Sequence, residues 1–163
     1  MGISTFDLDG FDRKIVDVLA VDGRISVTAL AQRIGLSKSP TQARVKRLEE
    51  SGVIRGYRAL YDPIRLGRDH VAFVEVKLSD TREKALATFN DAVLKVPQIE
   101  QCHLIAGAFD YLLKVRTDGM TGYRAILAEE ISTLPHVANT STYVAMQAVK
   151  EEGVQPVAPS TDT

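Results

Sequence analysis

Apolar positions recur along the first third of the chain at helical spacing. Leu8, Phe11, Ile15, Val18 and Leu19 fall on one face, with Asp9 placed as an N-cap and Gly23 beyond the last periodic residue, which predicts a helix to about Val21. A second stripe, Val27, Leu30, Ala31 and Ile34, follows Ser26 as cap and ends at Gly35, a residue that can turn the chain through the left-handed region. Leu36 would plug the angle between this helix and the next. For the third helix the reading takes Ser39 as N-cap, Pro40 at the first helical position and Gln42 completing a capping box, with Val45 and Leu48 inward and Gly52, Val53 and Ile54 closing the unit. Two short helices joined by a tight turn make a helix-turn-helix. The stretch RGYRALYDP then alternates between Gly56 and Pro63 and reads as a short strand or wing.

From His70 the period changes. Residues 71–79 read as a strand with Ala72, Val74, Val76 and Leu78 on one face. Residues 80–96 read as a helix with Leu86, Phe89, Val93 and Val96 inward, stopped by Pro97. A strand over 98–105, a glycine-bearing hairpin turn over 106–110 and a third strand over 109–117 follow. A helix capped by Asp118 would place Tyr123, Leu127, Ile131 and Leu134 inward before Pro135, and 139–149 would form the last strand. The order βαββαβ is the ferredoxin-like arrangement, four antiparallel strands with both helices on one face. The expected fold is therefore α+β: a winged helix-turn-helix over 1–62, a linker over 63–70, a ferredoxin-like domain over 71–150, and a disordered tail, rich in Pro, Ser and Thr, over 151–163. The open sheet face would carry Val71, Phe73, Glu75 and Lys77 beside Asp110, Leu112, Lys114 and Arg116. Such a half-apolar, charge-balanced face predicts a homodimer through this domain.

Charge sharpens the picture of the first domain. The chain carries a formal net charge of −1, yet between Arg24 and Arg58 eight Lys and Arg residues face two acids, a local +6. A basic module on an acidic remainder points to double-stranded DNA as a partner. Candidate contacts are Arg24, Ser26, Lys38, Ser39, Thr41, Gln42, Arg44, Lys46 and Arg47, with Arg55 and Arg58 on the wing: amides, hydroxyls and guanidinium groups for base edges, Lys and Arg for phosphates. A solvated basic helix in a small bundle is the plainer alternative. No stretch is long and apolar enough to span a membrane, and MGISTFDLDG has neither part of a secretion signal. The single cysteine, Cys102, rules out an intramolecular disulfide and fits a cytoplasmic location. His70, His103 and His136 lack metal-ligand spacing, and Cys102 and His103, as strand neighbours, would point to opposite faces. With no phosphate loop or nucleophile elbow, no catalytic residue, metal or cofactor is expected, and the chain does not read as an enzyme.

Several strings resemble one family across nearly the whole chain, roughly Asp9 to Lys150: LDGFDRKIVDVLAVDGRIS, the helix-turn-helix itself, RLEESGVIRGYRALYDP, FVEVKL, QCHLIAGAFDYLLKVRT and TSTYVAMQAVKE. They are similar to the Lrp/AsnC, leucine-responsive or feast/famine, regulators of bacteria, with particular likeness to leucine-responsive and proline-catabolism members. The resemblance implies a transcription factor of amino acid metabolism whose C-terminal domain dimerises, builds octamers or similar rings, and binds a small amino acid between subunits. The family's ligand loop falls on Gly107, Ala108, Phe109, Asp110 and Tyr111, with Met120, Thr142 and Tyr143 at further pocket positions. Ala108 departs from the Asp or Asn of many members, which implies weaker amino-group recognition or a less polar effector. On chemistry alone, a glycine admits a ligand carboxylate to backbone amides and an aspartate answers an ammonium, but Gly107 also reads as a hairpin glycine and Asp110 as a turn residue. Two other functions fit parts of the pattern: an effector-independent nucleoid architectural protein, and an amino-acid-binding regulatory subunit of an enzyme.

Overall fold

The computed structural model describes residues 7–151. The chain divides between Ala59 and Leu60 into two compact units. In the first, α1 spans Gly10–Val21, α2 Val27–Ile34 and α3 Lys38–Glu50. Asp9 caps α1 in a reciprocal box with Asp12, and the Ser26 hydroxyl oxygen accepts the Ala29 N–H at 3.1 Å. Gly35 ends α2 at φ 80°, where a side chain would be strained. The core is Ile15, Leu30, Ile34 and Leu48, with Leu8, Val18, Ile25, Leu36 and Val45 packed around it.

The start of α3 differs from the sequence reading. Its N-cap is Ser37, not Ser39, and no side chain caps it. Gly35, Leu36 and Ser37 suffice for the turn between the helices, so α3 begins earlier. Pro40 then sits third in the helix, where its missing N–H still has no intrahelical partner to lose. Gln42 is displaced past the first turn and completes no capping box. The expected wing strand is also absent: residues 55–62 form no regular strand, and among the described residues this unit offers no second strand to pair with it.

The second unit is a four-stranded antiparallel sheet in the order β2-β3-β1-β4, with β1 His70–Leu78, β2 Ile99–Leu104, β3 Tyr111–Thr117 and β4 Val137–Val144. Helices α4 (Glu83–Val93) and α5 (Met120–Ile126) complete the βαββαβ order. Ala72, Val74, Val76, Tyr111, Leu113 and Val115 meet Phe89, Val93, Tyr123 and Ile131 in one core. Alternation along β1 and β3 is what delivers these six to a single face.

Three boundaries moved, each for a local reason. Asp118 does not cap α5; Gly119, at φ 153°, takes that place, and the Asp118 carboxylate fills the space a Cβ on Gly122 would need. After α5 the chain widens into one π-turn, Leu127–Ile131, closed by Ser132 N–H donating to the Leu127 carbonyl at 2.9 Å. The four-residue spacing of Tyr123, Leu127 and Ile131 suits that wider turn. β4 stops at Val144 because β1 runs out beneath it: Val144 pairs with Ala72, and the Ala145 N–H reaches the Val71 carbonyl as the last rung. The tail expected to be disordered lies, apart from Glu151, outside the described residues.

Candidate DNA-binding face and effector site

Helical geometry assigns each α3 side chain a direction. Thr41 and Leu48 are fully buried and Arg44 and Val45 half-buried, while Lys38, Ser39, Gln42, Ala43, Lys46 and Arg47 are exposed. The outward face thus presents a hydroxyl, an amide, a methyl and cations, the groups that meet base edges and phosphates in a major groove. Of the other candidates, Arg24, Ser26, Arg55 and Arg58 are exposed, and the Ser26 oxygen is engaged in capping α2.

Two candidates on α3 are corrected. Thr41 has no accessible surface, and its hydroxyl donates to the Ser37 carbonyl at 2.9 Å, so it is a helix-start residue and not a DNA contact. Arg44 turns toward α1: its Nη1 donates to Asp9 Oδ2 at 2.6 Å and Asp12 Oδ1 at 2.8 Å, and its guanidinium lies 5.5 Å from the Phe11 ring centroid. Asp12 is itself fully buried and also accepts from Arg47 Nη2 at 2.5 Å. The Asp9 carboxyl is held below its usual range, first by the Asp12 backbone N–H and then by Arg44. Sequence reasoning missed Asp12 as a partner of α3 and Ala43 as an outward methyl. The Asp9-x-x-Asp12 spacing signals a capping box, but nothing local signals arginines 32 and 35 residues away.

The effector candidates do not come together within one chain. Gly107, Ala108 and Phe109 lie on the loop joining β2 to β3, with Gly107 and Ala108 exposed. Gly107 does not require positive φ, and a Cβ there would make only ordinary contact, at 3.4 Å from Ile105 Cγ2. Asp110 fastens the loop to the sheet. Its Oδ2 accepts the Leu78 N–H at 2.7 Å where the β1–β4 register shifts, and its own N–H donates to the Val76 carbonyl at 3.0 Å. That satisfies a backbone donor that the irregularity would leave unpaired. One carboxylate oxygen is therefore committed to backbone.

Tyr111 is corrected to a core residue: it is 2 % exposed, packs on Phe89 and donates its hydroxyl to Asn90 Oδ1 at 2.8 Å, which leaves no face for a ligand. Thr142 and Tyr143 point to opposite faces. Thr142 shares a 2.5 Å hydrogen bond with the Tyr123 hydroxyl on the helix side, and the Tyr143 hydroxyl donates to Glu75 Oε2 at 3.3 Å on the open side. Met120 opens α5 beyond the far end of β3, seven residues from the loop, which at roughly 3.3 Å per residue is on the order of 20 Å away. A cleft of about 490 Å³ beside Arg68, Gln98, Arg116 and Asp118 contains none of these residues.

The open sheet face carries Phe73 and Tyr143 at 37 and 55 % exposure, flanked by an ion-pair cluster. Arg116 Nε meets Glu100 Oε1 at 2.6 Å and its Nη2 meets Glu151 Oε1 at 2.7 Å, with Lys114 paired to both glutamates. Burial pushes the Glu100 carboxyl up, but hydrogen bonds from Arg116 and Lys114 outweigh it and leave the group below its ordinary value. Cys102 faces the core, and burial alone pushes its thiol up to about 11, far from a reactive thiolate. Among the described residues no group of His, Cys, Asp and Glu is arranged to hold a metal ion, and no helix is long and apolar enough to cross a membrane.

Known proteins match both halves. The family description "Winged helix-turn-helix DNA-binding" covers residues 8–55, and "Lrp/AsnC ligand binding domain" covers 71–155. A protein of Rhizobium radiobacter named proline dehydrogenase transcriptional activator is 61 % identical over 150 residues, 92 % of this chain and 96 % of that one. The leucine-responsive regulatory protein of Escherichia coli K12 is 46 % identical over 145 residues, 89 % of this chain and 88 % of that one. Among solved structures, a transcriptional regulator from Neisseria meningitidis, crystallised with L-Met, superposes with a TM-score of 0.80 at 29 % identity, over 89 % of this chain and 94 % of that one. A recognition helix with a polar, basic outer face and a βαββαβ domain behind it in sequence, matched end to end, make this chain a member of the Lrp/AsnC family of DNA-binding transcriptional regulators.

Proposed function

We propose that this regulator senses a small amino acid of the proline or leucine type and controls genes for that amino acid's metabolism, acting in the cytoplasm as a homodimer that assembles further, to octamers or similar rings. The observation that carries the reading is the 61 % identity to a proline dehydrogenase transcriptional activator, which spans both units. The exposed aromatic patch at Phe73 and Tyr143 supports dimerisation, since a face of that composition is stabilised by burial against a second copy. In the dimer, two α3 helices enter major grooves about one helical turn apart, roughly 34 Å.

Gly107 to Asp110 and Met120 lie at opposite ends of one sheet, so a pocket that uses both draws them from different copies. An effector held there reads the assembly, and it shifts the balance among assemblies by its differential affinity for them. Thermal melting of the full chain against the standard amino acids, one at a time, tests this. A single stabilising hit, proline or leucine, is expected; a ligand at a hundred times its Kd adds about 2.7 kcal/mol. No shift at millimolar concentration would leave DNA binding intact and turn the reading to an effector-independent architectural protein.

A further inference from the structure

We propose that Asp9 and Asp12 of α1 are positioning residues for DNA recognition: they withdraw Arg44 from the phosphates and set the direction of Arg47, so that helix 1 fixes the working charge of the recognition helix. The inference rests on the DNA-binding role of α3. Four side chains build the device. Asp12 takes a place on α1 one turn from Ile15 and has no accessible surface, a position an unpaired carboxylate could not hold. Both of its cationic partners come from α3, Arg44 Nη1 at 2.8 Å and Arg47 Nη2 at 2.5 Å. Asp9 closes the other side of Arg44, at 2.6 Å, while its second oxygen caps α1 through the Phe11 and Asp12 N–H groups.

The charge count follows. Arg44 faces two carboxylates, so an approaching phosphate meets no net cation there. Lys38 and Lys46 stand outside the cluster on the exposed face, Lys46 with only a loose 3.6 Å pairing to exposed Glu50. Arg47 is half-exposed, anchored by Asp12 at one nitrogen. A guanidinium has five donors in a fixed fork, so one anchored nitrogen fixes the plane in which the others lie. Losing the Asp12 charge would remove a buried anion from beside Arg44 and strengthen attraction to any DNA, whatever its sequence. The device therefore holds down sequence-independent affinity and protects the difference between a specific site and random DNA.

The test uses the full chain, a duplex enriched by it from a random library, and a scrambled duplex of the same composition, each titrated across a salt series. Lys46→Met is expected to lower the slope of log K against log salt by about one phosphate's worth, and Arg44→Met to leave it unchanged. Asp12→Asn keeps the side-chain shape; it is expected to steepen the slope and reduce the enriched-to-scrambled affinity ratio about tenfold. Because Asp12 is buried and its variant could unfold, Asp9→Asn is the second measurement. Asparagine caps a helix as well as aspartate, so the fold is kept, and the slope is again expected to steepen. Equal slope losses in Arg44→Met and Lys46→Met would overturn the proposal. So would an unchanged slope in Asp9→Asn, or an Asp12→Asn protein whose thermal midpoint falls while slope and ratio stay put. Salt-independent binding by the unmodified chain would overturn the DNA reading itself, and this inference with it.

Discussion

Each unit leaves one face uncovered by its own core, and the two faces are unlike. The outward side of α3 offers Ser39, Gln42, Ala43, Lys46 and Arg47, small polar groups and long cations. The open side of the sheet offers Phe73 and Tyr143 between ion pairs that are already closed within the chain. The first face is solvated in isolation and gains by meeting an anion; the second gains by leaving water. Buried charge is also used differently. Asp12 links two helices and orders groups that face outward, whereas Arg116 is enclosed by Glu100, Glu151 and the Arg68 carbonyl, all within its own unit. The composition of an uncovered face thus separates a nucleic-acid surface from a protein surface more clearly than net charge does.

The contrast can be broken at several points. The largest effect is expected for Phe73→Asp combined with Tyr143→Asp, which puts charge into the centre of the apolar patch; the dimer dissociation constant should rise at least about a hundredfold, the scale of losing an interface hot spot, with DNA contacts on α3 untouched. Analytical ultracentrifugation over a dilution series reads it, and an unchanged dimer would remove the sheet face as the interface. Next, Arg116→Met leaves two glutamates sharing one lysine, and should lower the stability of the C-terminal unit by about 2 kcal/mol in urea unfolding. The N-terminal unit's transition should not move, which distinguishes an internal cluster from one tied to DNA.

A smaller effect is expected for Gln42→Ala on the outward side of α3. If its amide reads a base, affinity for the enriched duplex should fall about tenfold with little change on scrambled DNA; equal losses on both would make Gln42 a general contact. The smallest concerns Asp80, whose carboxyl is lowered to about 2, first by the Arg82 side chain and then by the Arg82 backbone N–H. The folded value lies below the ordinary aspartate value of 3.8, so whatever this pair contributes is complete above that pH and disappears as pH falls from 3.8 toward 2. Carboxyl NMR should show the low titration, and Arg82→Ala should return it toward 3.8. Exposed as the pair is, stability should scarcely respond.

Much of the fold is written locally. Asp9, Ser26 and Gly35 mark their helix ends by side-chain chemistry that needs no distant partner, and the alternation Ala72, Val74, Val76 puts β1 in the sheet with its apolar face inward. The family's strings carried the DNA-binding and ligand-binding assignments without any coordinates. Where the structure departs from the sequence reading at a helix start, a neighbouring residue takes the cap and the turn is what selects it. Ser37 and Ser39 are both acceptable caps, and the three-residue turn decided for Ser37. Asp118 is a better cap by composition than Gly119, but only glycine tolerates the φ that the chain takes there.

The sequence by itself determined the two modules, their order, the basic character of α3 and the inward faces of the strands, because caps, glycines and periodicity act within a few residues. Only the tertiary structure decided which polar residues the protein keeps for itself. Thr41 goes to a backbone carbonyl, Arg44 to Asp9 and Asp12, Asp110 to the Leu78 N–H, and Tyr111 to Asn90. Three of those four partnerships cross 21 to 35 residues of chain. A buried polar group must find a partner wherever packing places one, and that position is set by the whole fold and not by the residues beside it.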